Sequence, residues 1–270
     1  MMTIEQHKFV QFQNENKQWL EDYSLFRLLK QRFEYRPWWE WEKPYRDRDP
    51  QVLTQFRQEY ATQIEQQYYE QFLFFQQWDS LKNYAHKRGV YLIGDMPFFV
   101  AEDSVEMWAY RDNFLLNQEG RAKYFAGTDP QEDYFKPGIG QCWGLPIYDW
   151  DYMASNGFQW WVQRFNTMSR LFDMVRLTHF RGYVRTWAIP SETANPKKGY
   201  WLPARGEEMF ERLKTEWQHP IPLIVDDIGI EKETEKKQNP MLMICGMRNF
   251  ALRIIKNKFK VGCLVPECCN

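Results

Sequence analysis

Three times along the chain, a helical pattern of apolar positions is followed by a short apolar segment. The first helix is predicted over residues 63–87, where apolar side chains recur every three or four positions and Gly89 then stops the helix. These positions are Ile64, Tyr68, Phe72, Phe75, Leu81 and Ala85. The segment 90–93 follows and predicts a strand, because short apolar runs that end in polar residues are typical of buried parallel strands.

The pattern predicts two further units of the same kind. The second helix begins at Asn156, a suitable N-cap, and residues 174–177 form its strand. Its buried face is marked by Phe158, Trp161, Val162, Phe165, Met168 and Leu171. The third helix covers about residues 207–217, with Met209, Phe210 and Leu213 on its apolar side, and its strand covers 221–225.

Each predicted strand ends in polar side chains. They are Asp95 after the first strand, Thr178 and His179 after the second, and Asp226 and Asp227 after the third. Alternating helices and strands favour an α/β fold with a parallel sheet, and periodicity alone fits either a barrel or a doubly wound sheet. In a β/α barrel, functional side chains lie at these carboxyl ends. The long connections 96–156 and 179–206 are expected to supply binding loops over that face.

Length and charge limit the classes of protein that fit. The 270 residues can bury the core of one large domain, and a net charge of −1 argues against a nucleic-acid or membrane-surface partner. No run of about 18 apolar residues predicts a membrane-spanning helix. Residues 1–16 are polar and lack the apolar core of a signal peptide. We therefore expect a cytoplasmic protein.

The five cysteines predict no disulfide framework, since the count is odd and four of them follow residue 240. A cluster at Cys263, Cys268 and Cys269 could suggest a metal site. It contains no Cys-x-x-Cys pair and no nearby histidine, so an ordinary tail is the better interpretation and no metal is expected.

Aromatic residues make up 18% of the chain, including 13 tryptophans. Aromatic rings stack on the apolar faces of sugars, but they also dominate ordinary cores, and we expect most of these side chains to be buried. Trp143 is the exception, because it lies in a segment punctuated by glycine and proline, where a loop is predicted.

Several motifs, in order, resemble one enzyme family. They are Gly-Asp-Met-Pro-Phe-Phe-Val-Ala at 94–101, Gly-Gln-Cys-Trp-Gly-Leu-Pro-Ile-Tyr at 140–148, Val-Arg-Leu-Thr-His-Phe-Arg-Gly at 175–182 and Leu-Ile-Val-Asp-Asp-Ile-Gly at 223–229. Over about residues 16–251 the chain resembles the 4-α-glucanotransferases, also called amylomaltases or disproportionating enzymes.

This resemblance implies a partial (β/α)8 TIM-type barrel with a helical insertion. It divides the chain into a helical insertion subdomain at 1–60, a central part of the barrel at 61–230 and a divergent tail at 231–270. Because the similar proteins begin upstream and continue further, the resemblance implies a truncated, central fragment.

By resemblance, Thr178 occupies the position of the catalytic nucleophile and Asp226 that of the acid/base. The family holds an aspartate and a glutamate there, so both positions are altered. Retaining glycosyl transfer uses two carboxyl groups, and a neutral hydroxyl cannot replace the first of them. A third family carboxylate, in a Thr-His-Asp-Asn block, has no counterpart in the sequence.

Other family positions are intact. The residues that line the glucan site by resemblance are Asp95, Trp143, Gly144, Arg176 and His179. His179 could instead be a satisfied histidine at a strand end. Arg176 could form an ion pair with Asp95 or with Asp226.

Two functional classes remain open from the sequence. The first is a 4-α-glucanotransferase that moves α-1,4-glucan segments between maltooligosaccharides, catalytically impaired by the altered positions. The second is a non-catalytic, glucan-binding remnant or a broken-gene product. In either class the expected partners are α-1,4-glucans and a complementing polypeptide. Neither a cofactor nor a nucleic acid or membrane partner is expected.

Overall fold

The structure, a computed structural model, describes residues 3–225. Within that range the α-helices are α1 (Ile4–Arg32), α2 (Lys43–Arg46), α3 (Pro50–Glu59), α4 (Ala61–His86), α5 (Val105–Ala109), α6 (Trp150–Ser155), α7 (Gln159–Leu171) and α8 (Gly206–Glu216). The strands are β1 (Ile93–Met96), β2 (Tyr124–Thr128), β3 (Gln141–Pro146), β4 (Met174–Leu177), β5 (Arg185–Pro190), β6 (Tyr200–Pro203) and β7 (Leu223–Val225). Short 3-10 helices lie at Trp38–Glu40, Arg111–Asn113, Phe180–Tyr183 and Pro196–Lys198.

The described chain falls into two compact units. The first takes in the chain up to Val90 together with Phe99–Ser155 and Arg185–Pro203, and we call it the helical–antiparallel unit. The second contains Tyr91–Phe98, Asn156–Val184 and the described chain from Ala204 onwards, and we call it the parallel-sheet unit.

Helix α4 belongs to the helical–antiparallel unit, because its aromatic side chains pack on α1. The ring of Phe12 lies 5.7 Å from that of Phe72 and 5.4 Å from that of Phe75, measured between centroids. The predicted boundary between residues 60 and 61 therefore does not separate these two units. The division into insertion, barrel and tail stays a prediction.

The parallel-sheet unit contains a three-stranded sheet in the order β1-β4-β7, with both neighbouring pairs parallel. Helix α7 leads into β4, and α8 leads into β7. The predicted alternation of helices and strands is thus confirmed, and β4 has the predicted bounds. Strand β7 begins at Leu223 rather than at residue 221.

Strand β1 lies three residues later than the predicted segment 90–93. Backbone pairing begins where Leu92 meets Asp173: the Leu92 carbonyl accepts from the Asp173 amide at 2.9 Å, and the Leu92 amide donates to the Asp173 carboxylate at 2.8 Å. Gly94 then leaves room for the ring of Phe172, which a Cβ at this position would overlap. Most of the apolar run 90–93 therefore precedes the strand.

The helices match their predicted positions closely, with one shifted start. Helix α7 begins at Gln159, after Phe158 in the left-handed region at φ 55°. The side-chain oxygen of Asn156 accepts from the Gln159 amide at 3.4 Å. The predicted cap residue therefore lies about one turn before the first residue of the helix. In the described part of the chain, no helix is long and apolar enough to cross a membrane.

The two long connections, predicted to be loops, contain all four strands of a second sheet. Strands β2 and β3 come from the first connection and β5 and β6 from the second, and they form an antiparallel sheet in the order β3-β2-β5-β6. Its centre is the β2–β5 pair, where Ala126 lies opposite Ala188 and both are fully buried. This sheet belongs to the helical–antiparallel unit.

Candidate functional site

The parallel sheet presents a charged pair beside the carboxyl ends of its strands. Asp95 on β1 lies opposite Arg176 on β4 in the strand register. The Arg176 Nε lies 2.9 Å from the Asp95 Oδ1. The neighbouring residues in both strands are buried, so the pair occupies the open face. The ion pair proposed for Arg176 as an alternative to a ligand role is therefore present with Asp95.

Solvent screens this ion pair, because 44% of the Arg176 side chain and 56% of the Asp95 side chain are exposed. Exposed pairs of this kind stabilise a fold by about 0–1 kcal/mol. A bound polar ligand can therefore compete for the same donors and acceptors at little cost to the fold.

Thr178 lies directly after β4, and its hydroxyl is already engaged. The Oγ1 atom donates to the backbone carbonyl of Met96 at 3.1 Å, which ties the end of β4 to the end of β1. A hydroxyl becomes a nucleophile when a neighbouring base removes its proton. A peptide carbonyl is no such base, and no carboxylate or imidazole of residues 3–225 hydrogen-bonds to Thr178.

His179 is held in the left-handed region, with φ 53°, at the start of the 3-10 helix Phe180–Tyr183. Its ring lies 5.9 Å from that of Phe98, between centroids. Burial, and to a smaller extent the charge of Arg181, lower the pKa of His179 to about 4. The ring is therefore neutral at pH 7 and can offer both a donor and an acceptor.

Beneath His179, an aromatic cluster fixes the turn that follows β4. Phe98 and Tyr183 meet edge to face at 4.7 Å, and Trp161 lies 5.3 Å from Tyr183, between ring centroids. Gly182 is required here, since a Cβ at that position would come within 2.6 Å of the Phe98 ring. Trp161 and Tyr183 are fully buried.

We expect His179 to make the stability of the fold depend on pH. Its folded-state pKa of about 4 lies below the ordinary value near 6.5. Between these two values the unfolded chain binds a proton that the folded chain does not, so the free energy of unfolding falls as the pH falls. The loss from pH 6.5 to pH 4 should be roughly 3 kcal/mol from this group.

Urea unfolding at several pH values between 4 and 7 measures this slope. His179→Asn suits the left-handed backbone and removes the titrating group, so the slope should become shallower by that amount. His7→Asn, at an exposed position of helix α1, is the matched control and should leave the slope as it is in the unchanged chain. An unchanged slope in His179→Asn would show that the imidazole titrates alike in both states.

In the helical–antiparallel unit, the predicted loop position of Trp143 is wrong. Trp143 lies on strand β3, where its indole Nε1 donates to the Gln141 side chain at 3.2 Å. Its ring lies 6.0 Å from that of Phe99 and joins the cluster around Ala126. The glycines and prolines from which a loop was predicted lie at the ends of the strand and at one kink within it.

Gly144 forms that kink. It is exposed, its φ of 68° favours glycine, and no atom lies within 4 Å of where a Cβ would be. The exposed backbone here leaves space for a ligand to approach the chain closely.

The turn before β3 carries two aromatic side chains that sequence reasoning missed. Tyr134 and Phe135 are 88% and 83% exposed. The buried carboxylate of Asp133 holds their base, accepting from the Thr128 hydroxyl at 2.6 Å and from the Phe135 amide at 2.9 Å. These hydrogen bonds, that of Thr128 first, lower the pKa of Asp133. Because these hydrogen bonds hold the turn in place, the two exposed rings can stack on an apolar face of a ligand.

Comparison with known proteins assigns the chain to a family. The sequence model of the family described as 4-alpha-glucanotransferase matches residues 2–260. The chain belongs to the 4-alpha-glucanotransferase family. It is 38% identical over 226 residues to the 4-alpha-glucanotransferase of Thermus thermophilus and 36% identical over 230 residues to that of Synechocystis. These matches cover 84% and 85% of this chain but 44% and 45% of the relatives, so the chain spans less than half their length.

Solved structures of amylomaltases give the fold. The amylomaltase from Streptococcus agalactiae, in complex with acarbose, matches with a TM-score of 0.79 and 33% identity over 88% of this chain and 47% of its own. That of Corynebacterium glutamicum matches with a TM-score of 0.69 and 17% identity over 91% of this chain and 32% of its own, which supports the fold alone. The α/β class and the partial (β/α)8 barrel with a helical insertion are confirmed.

Family membership does not test the individual site residues. The described geometry brings Asp95, Arg176, Thr178 and His179 together in the parallel-sheet unit, and it places Trp143 and Gly144 in the other unit. Asp226, Asp227 and the cysteine cluster lie outside the described residues. Their roles stay predictions.

Proposed function

We propose that this family member binds α-1,4-glucans and that its glucan transfer activity is strongly impaired. The observation that carries the proposal is the hydrogen bond from the Thr178 hydroxyl to the Met96 carbonyl, at the position where the family resemblance expects the nucleophile. A side chain that ties two strand ends together has taken on a structural role there.

The chemistry of retaining transfer explains the impairment. One carboxylate must form a glycosyl-enzyme, and a second carboxyl group, about 5–5.5 Å from the first, must protonate the leaving oxygen and then activate the acceptor. Thr178 carries no negative charge to stabilise the oxocarbenium-like transition state. Asp226, at the acid/base position, is one methylene shorter than the glutamate expected there, and a displacement of about 1 Å can cost on the order of 10²-fold in rate.

Glucan binding does not depend on the nucleophile. The Asp95–Arg176 pair presents an exposed carboxylate and an exposed guanidinium, and neutral His179 carries one donor nitrogen and one acceptor nitrogen. These are the groups that sugar hydroxyls require. Separately, in the helical–antiparallel unit, the exposed rings of Tyr134 and Phe135 present apolar faces of the kind on which pyranose rings stack.

The non-catalytic remnant is the second candidate, and the engaged Thr178 hydroxyl favours it. An impaired enzyme retains a residual transfer rate that Asp226→Ala abolishes. A non-catalytic remnant shows no such rate. Truncation, a complementing polypeptide and a cytoplasmic location stay predictions.

Acarbose, the ligand of the Streptococcus agalactiae amylomaltase complex, is a suitable probe of binding. We expect the chain to bind it saturably in isothermal titration calorimetry, and we expect Asp95→Asn to weaken binding about ten- to a hundredfold. The reason is that a hydrogen bond to a charged group contributes about 1.5–3 kcal/mol.

Glu211→Gln is the matched control for this experiment. Glu211 also forms an exposed ion pair in the parallel-sheet unit, with Lys214 at 2.7 Å, but on helix α8. The control should bind acarbose as the unchanged chain does. No saturable binding by the unchanged chain, or equal affinity in Asp95→Asn, would contradict the proposal.

A further inference from the structure

A cavity of about 240 Å³ opens in the helical–antiparallel unit, where α1, α3 and α4 meet. Its polar walls are formed by Gln13, Glu21, Arg57, Glu65 and Tyr68, and its apolar lining by Ala61 and Ile64. All of these residues lie on helices, which hold the cavity in shape without loops.

The charges around the cavity nearly cancel. The Arg57 Nε lies 2.6 Å from the Glu21 Oε1, so these two side chains neutralise each other. Glu65 adds one exposed carboxylate at the rim. With Arg57 and Glu21 neutralising each other, Glu65 leaves one net negative charge, which disfavours an anionic ligand.

Several polar groups in the cavity form no side-chain hydrogen bond within the described part of the chain. Among residues 3–225, the Gln13 amide, the Tyr68 hydroxyl and the Glu65 carboxylate form no side-chain hydrogen bond, and the terminal nitrogens of Arg57 form none either. Burial raises the pKa of Tyr68, with the nearby charge of Glu21 acting in the same direction, so this hydroxyl stays a donor. Donors and acceptors are thus both present around the cavity.

An apolar surface lies among these polar groups. Ile64 is 8% exposed, and the half-buried ring of Tyr68 stands one helical turn further along α4. A cavity with an apolar wall and a few polar groups converging on it is the usual form of a small-molecule site.

We propose that this cavity binds a single neutral pyranose ring, such as an end unit of a maltooligosaccharide. A pyranose has an apolar C–H face for Ile64 and Tyr68 and hydroxyls that both donate and accept. Pockets for drug-sized ligands measure about 300–1,000 Å³, so a cavity of about 240 Å³ suits one sugar ring rather than a chain. This inference does not depend on glucan binding by the parallel-sheet unit.

Fluorine NMR of the chain labelled with 3-fluorotyrosine tests the site directly, and Tyr68→Phe assigns the reporter resonance. Glucose and maltose should shift the Tyr68 resonance saturably, with affinity in the millimolar range expected of one sugar ring. Gln13→Ala should weaken this binding about tenfold, the effect of losing one or two hydrogen bonds. Gln11→Ala, on the exposed side of the same helix, should not.

Three results would overturn the inference. They are an unmoved Tyr68 resonance at about 100 mM glucose, equal affinity in Gln13→Ala and the control, or a larger response to methylammonium or acetate than to glucose. Acarbose calorimetry on Asp95→Asn measures binding at the parallel-sheet unit, whereas the Tyr68 resonance reports on the cavity. A failure of sugar binding at the cavity can therefore be told apart from a failure of the proposed glucan binding.

Discussion

Purified chain incubated with maltotriose should release glucose and form longer maltooligosaccharides at least about 10⁴-fold more slowly than the Thermus thermophilus 4-alpha-glucanotransferase assayed in parallel. The physical reason lies at Thr178, whose hydroxyl is bound to a peptide carbonyl. The family resemblance expects at this position a carboxylate that forms the glycosyl-enzyme. Enzymes lose on the order of 10⁴–10⁶ in rate when their nucleophile is removed. Chromatography of the oligosaccharide products measures the redistribution of chain lengths.

Thr178→Ala is the control that isolates the hydroxyl. If Thr178 serves only to tie β1 to β4, any residual rate should be the same within about twofold after the change, since a structural hydrogen bond contributes only about 0.5–1.5 kcal/mol. Efficient disproportionation by the unchanged chain would contradict the proposed impairment. A residual rate that disappears in Thr178→Ala would show that the hydroxyl takes part in the chemistry.

Trp161→Ala should destabilise the parallel-sheet unit by about 3–5 kcal/mol. The indole is fully buried and lies against the rings of Phe98 and Tyr183, at centroid distances of 5.7 and 5.3 Å. Removing it leaves a cavity beneath the turn that carries His179. Urea unfolding followed by circular dichroism at 222 nm measures the loss without relying on tryptophan fluorescence.

Two further variants make this result interpretable. Trp161→Phe keeps an aromatic ring in the cluster and should cost about half as much. Thr167→Ala changes an exposed residue of the same helix and should stay within about 0.5 kcal/mol of the unchanged chain. Similar losses in all three variants would mean that the cluster is not the core of this unit.

Local pattern was sufficient to place one strand and two helices closely. Strand β4 and helices α4 and α8 lie where apolar spacing placed them, within two residues, because each of them buries apolar side chains. Strand β1 was misplaced because its position depends on where Leu92 meets Asp173, a contact between residues 81 positions apart. Hydrophobicity within a segment carries no information about such a partner.

The antiparallel sheet could not be predicted for a related reason. Its strands are short, and β2 is interrupted by a register shift between Ala126 and Gly127. Gly127 lies so close to the Gln141 carbonyl that a Cβ there would overlap it. The sequence does not show that this glycine permits two strands to approach each other.

The candidate site was predicted unevenly. The polar residues after the strands indicated Asp95, Thr178 and His179, because the carboxyl ends of parallel strands lie at one edge of the sheet. The exposed rings of Tyr134 and Phe135 were not anticipated, since sequence cannot tell an exposed aromatic residue from a buried one. Their exposure depends on the buried Asp133 beneath them.

The pairing of β2 with β5 also constrains how the chain can be recombined with its relatives. These strands come from segments about 60 residues apart, yet each completes the other's backbone hydrogen bonds. A chimaera that exchanges residues 97–155 alone would pair β2 of one protein with β5 of another. The side chains of these two strands would then come from different proteins and would not be matched to each other. Exchanging residues 97–155 and 185–203 together transfers the whole antiparallel sheet. The structural unit that can be exchanged between relatives is therefore a pair of segments that are distant in the sequence.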